Sequence, residues 1–231
     1  MGIQGQIEFD LGLAPSTQED INKVIEELSH PCYACGLGSL NKDNPGLITR
    51  GNPLGWISFV SQMPADNEWR LHKAMVGPAG RELDDWCNYH MHIDIEKEAF
   101  IINVVQCLTP KVKAKNEKFA KHRAPDRDEL RRCFPTRCLR VLKAMPNLKC
   151  VVTLGGIATQ LILGEKPLEK VHTGNWFTCK LLPGVAVFVL PHPVILCKPD
   201  VSEETEANIE RLLKKFANTL PGALNIANKT K

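Results

Sequence analysis

Four cysteines have the number and spacing that a metal centre needs. Cys32 and Cys35 form a C-x-x-C pair, Cys107 closes an apolar run, and Cys133 lies in a charged stretch with a helical pattern. Four thiolates from a close pair and two distant elements can hold an iron–sulfur cluster or a structural zinc ion. The alternative is that they are ordinary buried thiols, which pack as small hydrophobic groups. Cys138 is a second candidate for the fourth ligand.

Three polar side chains lie in or shortly after apolar runs that are typical of strands. Gln62 and His192 each come shortly after such a run, and Asn103 lies within one. The carboxyl ends of parallel strands meet at one edge of a sheet, and α/β proteins bind their ligands there. We therefore expect these three side chains to converge on a ligand site.

The strands that position these residues are predicted to form a parallel sheet. Four apolar runs without polar alternation are separated by helical patterns, which is typical of an α/β fold with a central, mostly parallel four-stranded sheet flanked by helices. The predicted strands are residues 56–60, 99–105, 150–154 and 185–190. Helices are predicted after Thr17, from about residue 80 to Tyr89, from Asp126 to about Ala144 with a break at Pro135, from Ile157 to Leu163, and after Ser202.

One domain is expected over residues 1–231. It has an N-terminal helix and an irregular tail within residues 1–30 and a basic loop inserted at residues 108–125. Residues 36–55 are rich in Gly, Asn and Pro and are predicted to be a loop.

Composition favours a reducing compartment. The cysteine count of nine is odd, and the first ten residues have no charged-then-apolar signal pattern. No run of about 18 apolar residues is present, so no membrane partner is expected. We expect a cytoplasmic protein, in the nucleoid or in an infected host cell if the chain is viral. The four cysteines without ligand spacing are expected to pack in the core: Cys87, Cys150, Cys179 and Cys197.

Positive charge is concentrated in the basic loop, although the net charge is only +3. A solvated loop is one interpretation, and a loop that contacts nucleic-acid phosphates is the other. The DNA-contacting candidates in this loop are Lys111, Lys113, Lys115, Lys121, His122 and Arg123.

Six segments occur in the order of one family's motifs. They are Cys32-Tyr-Ala-Cys35, Met75-Val-Gly-Pro-Ala-Gly-Arg-Glu-Leu-Asp84, Ile102-Asn-Val-Val-Gln-Cys107, Pro125-x-x-x-Glu129-x-x-x-Cys133, Val151-Val-Thr-Leu-Gly155 and His192-Pro193-x-x-Leu196. From about Cys32 to Lys198 the chain resembles the uracil-DNA glycosylase superfamily, specifically its iron–sulfur branch, family 4.

The resemblance implies a fold, a cofactor and a reaction. It implies a monomeric uracil-DNA glycosylase-like enzyme with a structural [4Fe-4S] cluster held by the four cysteines of the predicted metal centre. The enzyme would flip a uracil or 5-modified uracil from single- or double-stranded DNA and cleave its N-glycosidic bond. Asn103 would read the base edge, His192 would stabilise the departing base, and Lys198 would contact phosphate.

The chain departs from the family pattern after the first predicted strand. Family 4 has Gly-Glu-Ala-Pro-Gly where this chain has Ser61-Gln-Met-Pro-Ala65. Gln62 therefore stands at the position of the acid that positions water, and an amide cannot take up a proton. Gln62 could still hold water or ligand, and Asp66 or Glu68 could supply the missing carboxylate.

Two further departures affect the base pocket and the basic loop. Met75 stands where the family has an aromatic residue that stacks on the base, which favours a bulkier or modified base, and Trp69 could compensate. Met63 is placed in the same pocket. His122-Arg-Ala-Pro125 resembles the His-Lys-Thr-Pro of a uracil-crosslinking subgroup, whose His bonds covalently to the abasic sugar. DNA contact is the other role open to His122.

Two functions other than excision keep the same pocket. One is modification of a 5-substituted pyrimidine in place, by a transferase of viral DNA hypermodification. The other is DNA binding without catalysis. The replacements at Gln62 and Met75 suit the enzyme that modifies the base in place.

Overall fold

A six-stranded sheet runs through the centre of the molecule. The computed structural model describes residues 16–41, 43, 45–113, 115, 119–164 and 171–229. The strands of the main sheet are β1 (Thr49–Gly51), β2 (Ile57–Ser61), β3 (Ala99–Asn103), β6 (Cys150–Leu154), β7 (Phe177–Cys179) and β8 (Leu182–Leu190). A separate two-stranded hairpin consists of β4 (Lys111–Val112) and β5 (Lys121–His122).

The strand order of the main sheet is β1-β3-β2-β6-β8-β7. The four central strands run parallel, and β1 and β7 pair antiparallel at the two edges. The prediction of a mostly parallel α/β sheet is confirmed. The two edge strands were not predicted, because each has only three residues and one bonded neighbour, too short for a recognisable pattern.

Helices cover both faces of the sheet. They are α1 (Gln18–Leu28), α2 (Gly36–Leu40), α3 (Asp66–Leu71), α4 (Pro78–Asp85), α5 (Ile95–Glu98), α6 (Arg127–Cys133), α7 (Leu139–Ala144), α8 (Gly156–Leu163) and α9 (Glu203–Lys229). One apolar layer contains Ile21 and Leu142 with the strand residue Ile102, and the other contains Phe216 with Phe59. The strands β2, β3 and β6 are buried throughout, as is β8 from Val185 onward, which explains why these central strands lack polar alternation.

Two helices contain a π-helical turn. One turn, Trp86–Met91, follows α4, and the other, Phe134–Cys138, joins α6 to α7. The break predicted at Pro135 falls in this second turn. It carries Arg137, whose Nη1 donates to the carbonyl oxygens of Leu28 and Gly46, both at 2.7 Å. This buried guanidinium therefore fastens the N-terminal segment to the core.

Two details of the sequence prediction were wrong. The predicted loop at 36–55 contains α2 and β1, and the strand predicted for 99–105 ends at Asn103. Asn103 is therefore the last residue of its strand rather than an interior one. The predicted irregular tail, residues 1–15, lies outside the described residues. None of the helices in the described part of the chain is long and apolar enough to cross a membrane.

Candidate active site

A cavity of about 240 Å³ lies beyond the carboxyl ends of the central strands. Pockets for drug-sized ligands are usually about 300–1,000 Å³, so this cavity suits a smaller group such as one nucleobase. Its lining is formed by Ser61, Met63, Ala65, Asn67, Glu68, Met75, Gly77, Pro78, Ala79, Asn103, His192, Val194 and Cys197. The wall is largely apolar, with a few polar side chains that can fix the orientation of a ligand.

Asn103 and Ser61 lie side by side at the floor of the cavity. They are register partners at the ends of the parallel strands β3 and β2. Asn103 is only 2% exposed as a residue, and no described residue forms a hydrogen bond with its carboxamide, which is open to the cavity rather than sealed in the core. The group is therefore available to a ligand that supplies both an acceptor and a donor.

His192 reaches the same cavity from the far side of β6. It follows β8, and Gly155, at the end of β6, lies directly beneath it. A Cβ atom on Gly155 would come within 3.2 Å of the Cβ of His192. Gly155 has φ of +85°, a conformation that side chains rarely adopt, so glycine is needed here for two reasons.

Both ring nitrogens of His192 are hydrogen-bonded. Nδ1 accepts from the backbone N–H of Val194 at 3.1 Å, and Nε2 lies 3.0 Å from Ser61 Oγ. Burial lowers the pKa of His192, and the negative charge of Glu68 raises it in part. The imidazole is therefore held in one orientation and kept neutral near pH 7.

Met75 forms a wall of the cavity in a strained backbone conformation. Its φ is +51°, in the left-handed region that is uncommon for a bulky residue. The Met75 carbonyl accepts from Arg50 Nη1 at 3.2 Å, and Gly80 packs so closely that a Cβ there would lie 1.9 Å from this carbonyl oxygen. Such strain persists only where the surroundings impose it, and it often marks a functional site. Met63 lines the cavity as well.

Glu68 binds backbone N–H groups of two segments that line the cavity. Its Oε1 accepts from the backbone N–H groups of Val76 and Gly77 at 3.1 and 2.9 Å, and its Oε2 accepts from that of Ala65 at 3.2 Å. It is 7% exposed and is the only carboxylate of the described residues that lines the cavity. No feature of the sequence favours Glu68 over Asp66, because both lie in the same polar stretch.

Gln62 is not brought into the cavity lining. It is half-buried, and its carbonyl accepts from the Val105 N–H at 3.0 Å. Successive residues at a strand end point to opposite sides, and Ser61 and Met63 are the ones that line the cavity. Trp69 packs against the core and is also absent from the lining.

The basic loop forms the hairpin of β4 and β5, which is anchored beside the cavity. Asp66, the first residue of α3, bonds Lys111 Nζ at 2.8 Å and His122 Nε2 at 3.1 Å. The Lys111 hydrogen bond is the main reason that the pKa of Asp66 is lowered. His122 also bonds the Thr109 carbonyl through Nδ1. Both ring nitrogens of His122 are thus engaged.

The other predicted DNA-contacting residues differ in their surroundings. Arg123 is paired with Glu129, with Nη2 to Oε1 at 2.5 Å. Lys113, Lys115 and Lys121 are exposed on the hairpin, and Lys198 is exposed beside Cys197 at the cavity. Of this set, Lys111 and His122 are held near the cavity through Asp66, and Lys198 is adjacent to a residue of its lining.

The four predicted metal ligands line a second cavity. Cys32 and Cys35 come from the segment before α2, Cys107 follows β3, and Cys133 ends α6. None of the nine cysteines, all of which lie among the described residues, forms a disulfide bond. Burial and the nearby thiols Cys133, Cys35 and Cys32 raise the pKa of Cys107 to about 12, and burial raises that of Cys133 to about 11. Clustered thiols resist ionisation unless a cation neutralises them.

The four thiols are donors of the kind that an iron–sulfur cluster or a structural zinc ion uses. Among the described residues, no three His, Cys, Asp or Glu side chains converge closely enough to form a ready-made metal site. The free space between the thiols is about 10 Å³.

The remaining cysteines have other surroundings. Cys138 is fully buried in the core and does not line the cysteine cavity, which leaves Cys133 as the fourth candidate ligand. Cys87, Cys150 and Cys179 are buried as expected. The prediction for Cys197 was wrong. It is exposed in the turn after Ile195 and lines the first cavity.

The fold and the first cavity define an α/β protein with a small, polar-floored pocket beyond its parallel strands. The chain belongs to the uracil DNA glycosylase superfamily, whose family model matches residues 49–217. It is also similar to the type-4 uracil-DNA glycosylase of Sulfurisphaera tokodaii, with 27% identity over 201 residues that cover 84% of each chain. Membership supports a DNA glycosylase as the class of enzyme.

Proposed function

We propose that this protein is an iron–sulfur DNA glycosylase that binds a flipped uracil or 5-modified uracil and hydrolyses its N-glycosidic bond. The observation that carries the proposal is the Asn103 amide, which is open to the cavity beside the bonded pair Ser61 and His192. The carboxamide can donate to O4 and accept from N3–H of a uracil ring. The pair of Ser61 and His192 supplies hydrogen-bond donation toward the opposite carbonyl.

The proposed reaction breaks the bond between the sugar C1′ and the base N1. The electron pair of this bond leaves with the base, and its charge spreads onto the carbonyl oxygens. Water then bonds to C1′, and the proton that it releases balances the charge on the free base. A donor directed at the developing charge is worth about 10²–10³-fold in rate. The pair of Ser61 and His192 suits this role because its hydrogen bond is formed before the base enters.

Two residues are candidates for holding the water. Gln62 can do so only by hydrogen bonding, and it lies outside the present lining. Glu68 lines the cavity, and its three bonds to backbone N–H groups leave about one acceptor site. We assign the water to Glu68 unless the segment around Gln62 moves when DNA binds.

The cysteine cavity is proposed to hold a [4Fe-4S] cluster. Cys32, Cys35, Cys107 and Cys133 would be its ligands, and the bound cluster would supply structural cross-linking rather than redox chemistry. The ligands belong to three separate elements, so the cluster would tie the N-terminal segment to the strand that carries Asn103.

DNA is proposed as the partner, bound by a monomer. The hairpin and Lys198 would contact DNA phosphates around the cavity. The affinity for DNA should therefore fall as the salt concentration rises. His122 is a DNA contact in this proposal. A covalent bond from its Nε2 to the sugar would first require that nitrogen to leave Asp66.

The test is a panel of oligonucleotides that contain uracil, 5-hydroxymethyluracil or thymine, with the products weighed by mass spectrometry. Loss of the base with uracil or its 5-modified form, abolished in His192→Ala, supports excision. A gain in mass would indicate in-place modification, and retention without change would indicate binding alone. The Gln62→Glu variant is the companion measurement. A large gain in uracil excision would show that the family's acid is the missing element.

A further inference from the structure

Ser61 is a buried hydroxyl group at the centre of the candidate active site. It is the last residue of β2, is 1% exposed, and lines the cavity next to Asn103. The resembled family pattern has glycine at this position, so the hydroxyl is a feature of this chain. Its one hydrogen-bond partner within the described residues is His192 Nε2, at 3.0 Å.

The direction of this hydrogen bond follows from the other nitrogen of the ring. The Val194 N–H donates to Nδ1, which therefore carries no proton. A neutral imidazole has one N–H, so the proton is on Nε2 and is donated to Ser61 Oγ. His192 cannot then act as a base toward Ser61. The pair is not an activated nucleophile.

The hydrogen of the Ser61 hydroxyl remains available to the cavity. Ser61 Oγ accepts from His192, and it donates to no acceptor among the described residues. A buried donor without an acceptor is unfavourable, which indicates that a ligand supplies one. The chain of donors from Val194 N–H through His192 to Ser61 thus ends inside the cavity.

We propose that Ser61 is the catalytic donor that touches a carbonyl oxygen of the flipped base, and that His192 acts through it as a positioning residue. This inference rests on the proposed function. As negative charge develops on the carbonyl oxygen, the hydrogen bond that the Ser61 hydroxyl donates to it strengthens. The hydrogen bond from His192 to Ser61 Oγ polarises the hydroxyl group further, as in other hydrogen-bond chains.

The arrangement has a consequence for leaving groups. A base that carries its negative charge more easily needs less donation. Replacement of Ser61 should therefore slow the release of uracil more than that of 5-fluorouracil, whose anion is more stable. A residue that only packs would slow both to the same degree.

The experiment compares wild type, Ser61→Ala, Ser61→Thr, His192→Ala and the double variant Ser61→Ala/His192→Ala. Single-turnover excision of uracil and 5-fluorouracil is measured in single-stranded DNA, and thermal melting checks the fold. We expect Ser61→Ala to lose about 10²–10³-fold with uracil and clearly less with 5-fluorouracil. Ser61→Thr, which keeps the hydroxyl, should stay within about tenfold of wild type. The double variant should be no slower than Ser61→Ala, because the two residues act as one unit.

Two results would overturn the inference. One is a Ser61→Ala enzyme as fast as or faster than wild type, and the other is independent, multiplicative losses in the double variant. If wild type excises neither base, the proposed function fails, and free uracil is used as the probe. If Ser61→Ala then binds free uracil about tenfold more weakly than wild type, the result supports Ser61 as a hydrogen-bond donor to the base. Equal binding by both proteins, or no binding to wild type, refutes it.

Discussion

The replacement Gly155→Ala tests whether catalysis depends on the close approach of His192 to the end of β6. The added Cβ would lie 3.2 Å from the Cβ of His192, and ordinary contacts begin near 3.4 Å, so the imidazole must retreat by a few tenths of an ångström. A 1 Å misplacement of a catalytic group costs about 10²-fold. We therefore expect excision to slow by about tenfold.

Gly164→Ala is the matched control at the other end of the same helix. Gly155 has φ +85° and ψ 174°, and Gly164 has φ +81° and ψ 176°. Both alanines thus bear the same backbone strain, about 1–3 kcal/mol. No described atom lies within 4 Å of a Cβ on Gly164. Both variants should melt lower by about 2–4 °C per kcal/mol, but only Gly155→Ala should lose activity.

The assay is single-turnover release of uracil from a labelled oligonucleotide, at a temperature well below both melting transitions. Equal losses of activity in the two variants would show that strain alone is responsible. A fully active Gly155→Ala enzyme would show that the position of His192 is not critical. Either result would refute the geometric argument.

Three other predictions concern the cysteine cavity, the cavity wall and pH. Cys107→Ser should lose iron and visible absorption, measured by metal analysis and spectroscopy on anaerobically purified protein. Cys138→Ser is the control that should keep both. Met75→Phe should raise affinity for uracil-containing DNA, since stacking is worth about 1–3 kcal/mol per base, and unchanged affinity would count against Met75 as the stacking position. Burial lowers the pKa of His192 in the folded protein, so the unfolded chain binds a proton at a higher pH than the folded one does. The contribution of His192 to the free energy of unfolding should therefore be complete above about pH 6.5 and decrease as the pH falls toward the folded pKa. Denaturation curves between pH 7.5 and 5 check this, and a His192→Asn variant with the same slope would contradict it.

The sequence predicted the central strands because they are apolar on both faces and therefore form continuous runs. It also predicted that Asn103 and His192 lie near each other, since the ends of parallel strands share an edge, and both residues line one cavity. Gln62 was assigned to the cavity from its position in a motif. Its neighbours Ser61 and Met63 line the cavity instead, because the side chains alternate at a strand end.

Other features of the site depend on contacts between distant parts of the chain. The bond between Ser61 and His192 joins residues 131 positions apart, and no local pattern indicates it. The role of Gly155 depends on its contact with His192. Each of the two edge strands, β1 and β7, forms only through pairing with one neighbouring strand. Such features come from tertiary packing, which outweighs local preference.

Because His192 packs against Gly155 only after β8 has docked beside β6, the candidate active site is completed late in the synthesis of the chain. Chains emerge from the ribosome N-terminus first, so the strands that carry Ser61 and Asn103 are available before β8. A nascent or partly opened molecule with β8 undocked has Ser61 and the Asn103 amide but lacks His192, which follows β8. In the proposed mechanism such a molecule has the groups that touch the base without the residue that positions the Ser61 donor, so excision depends on the docking of β8.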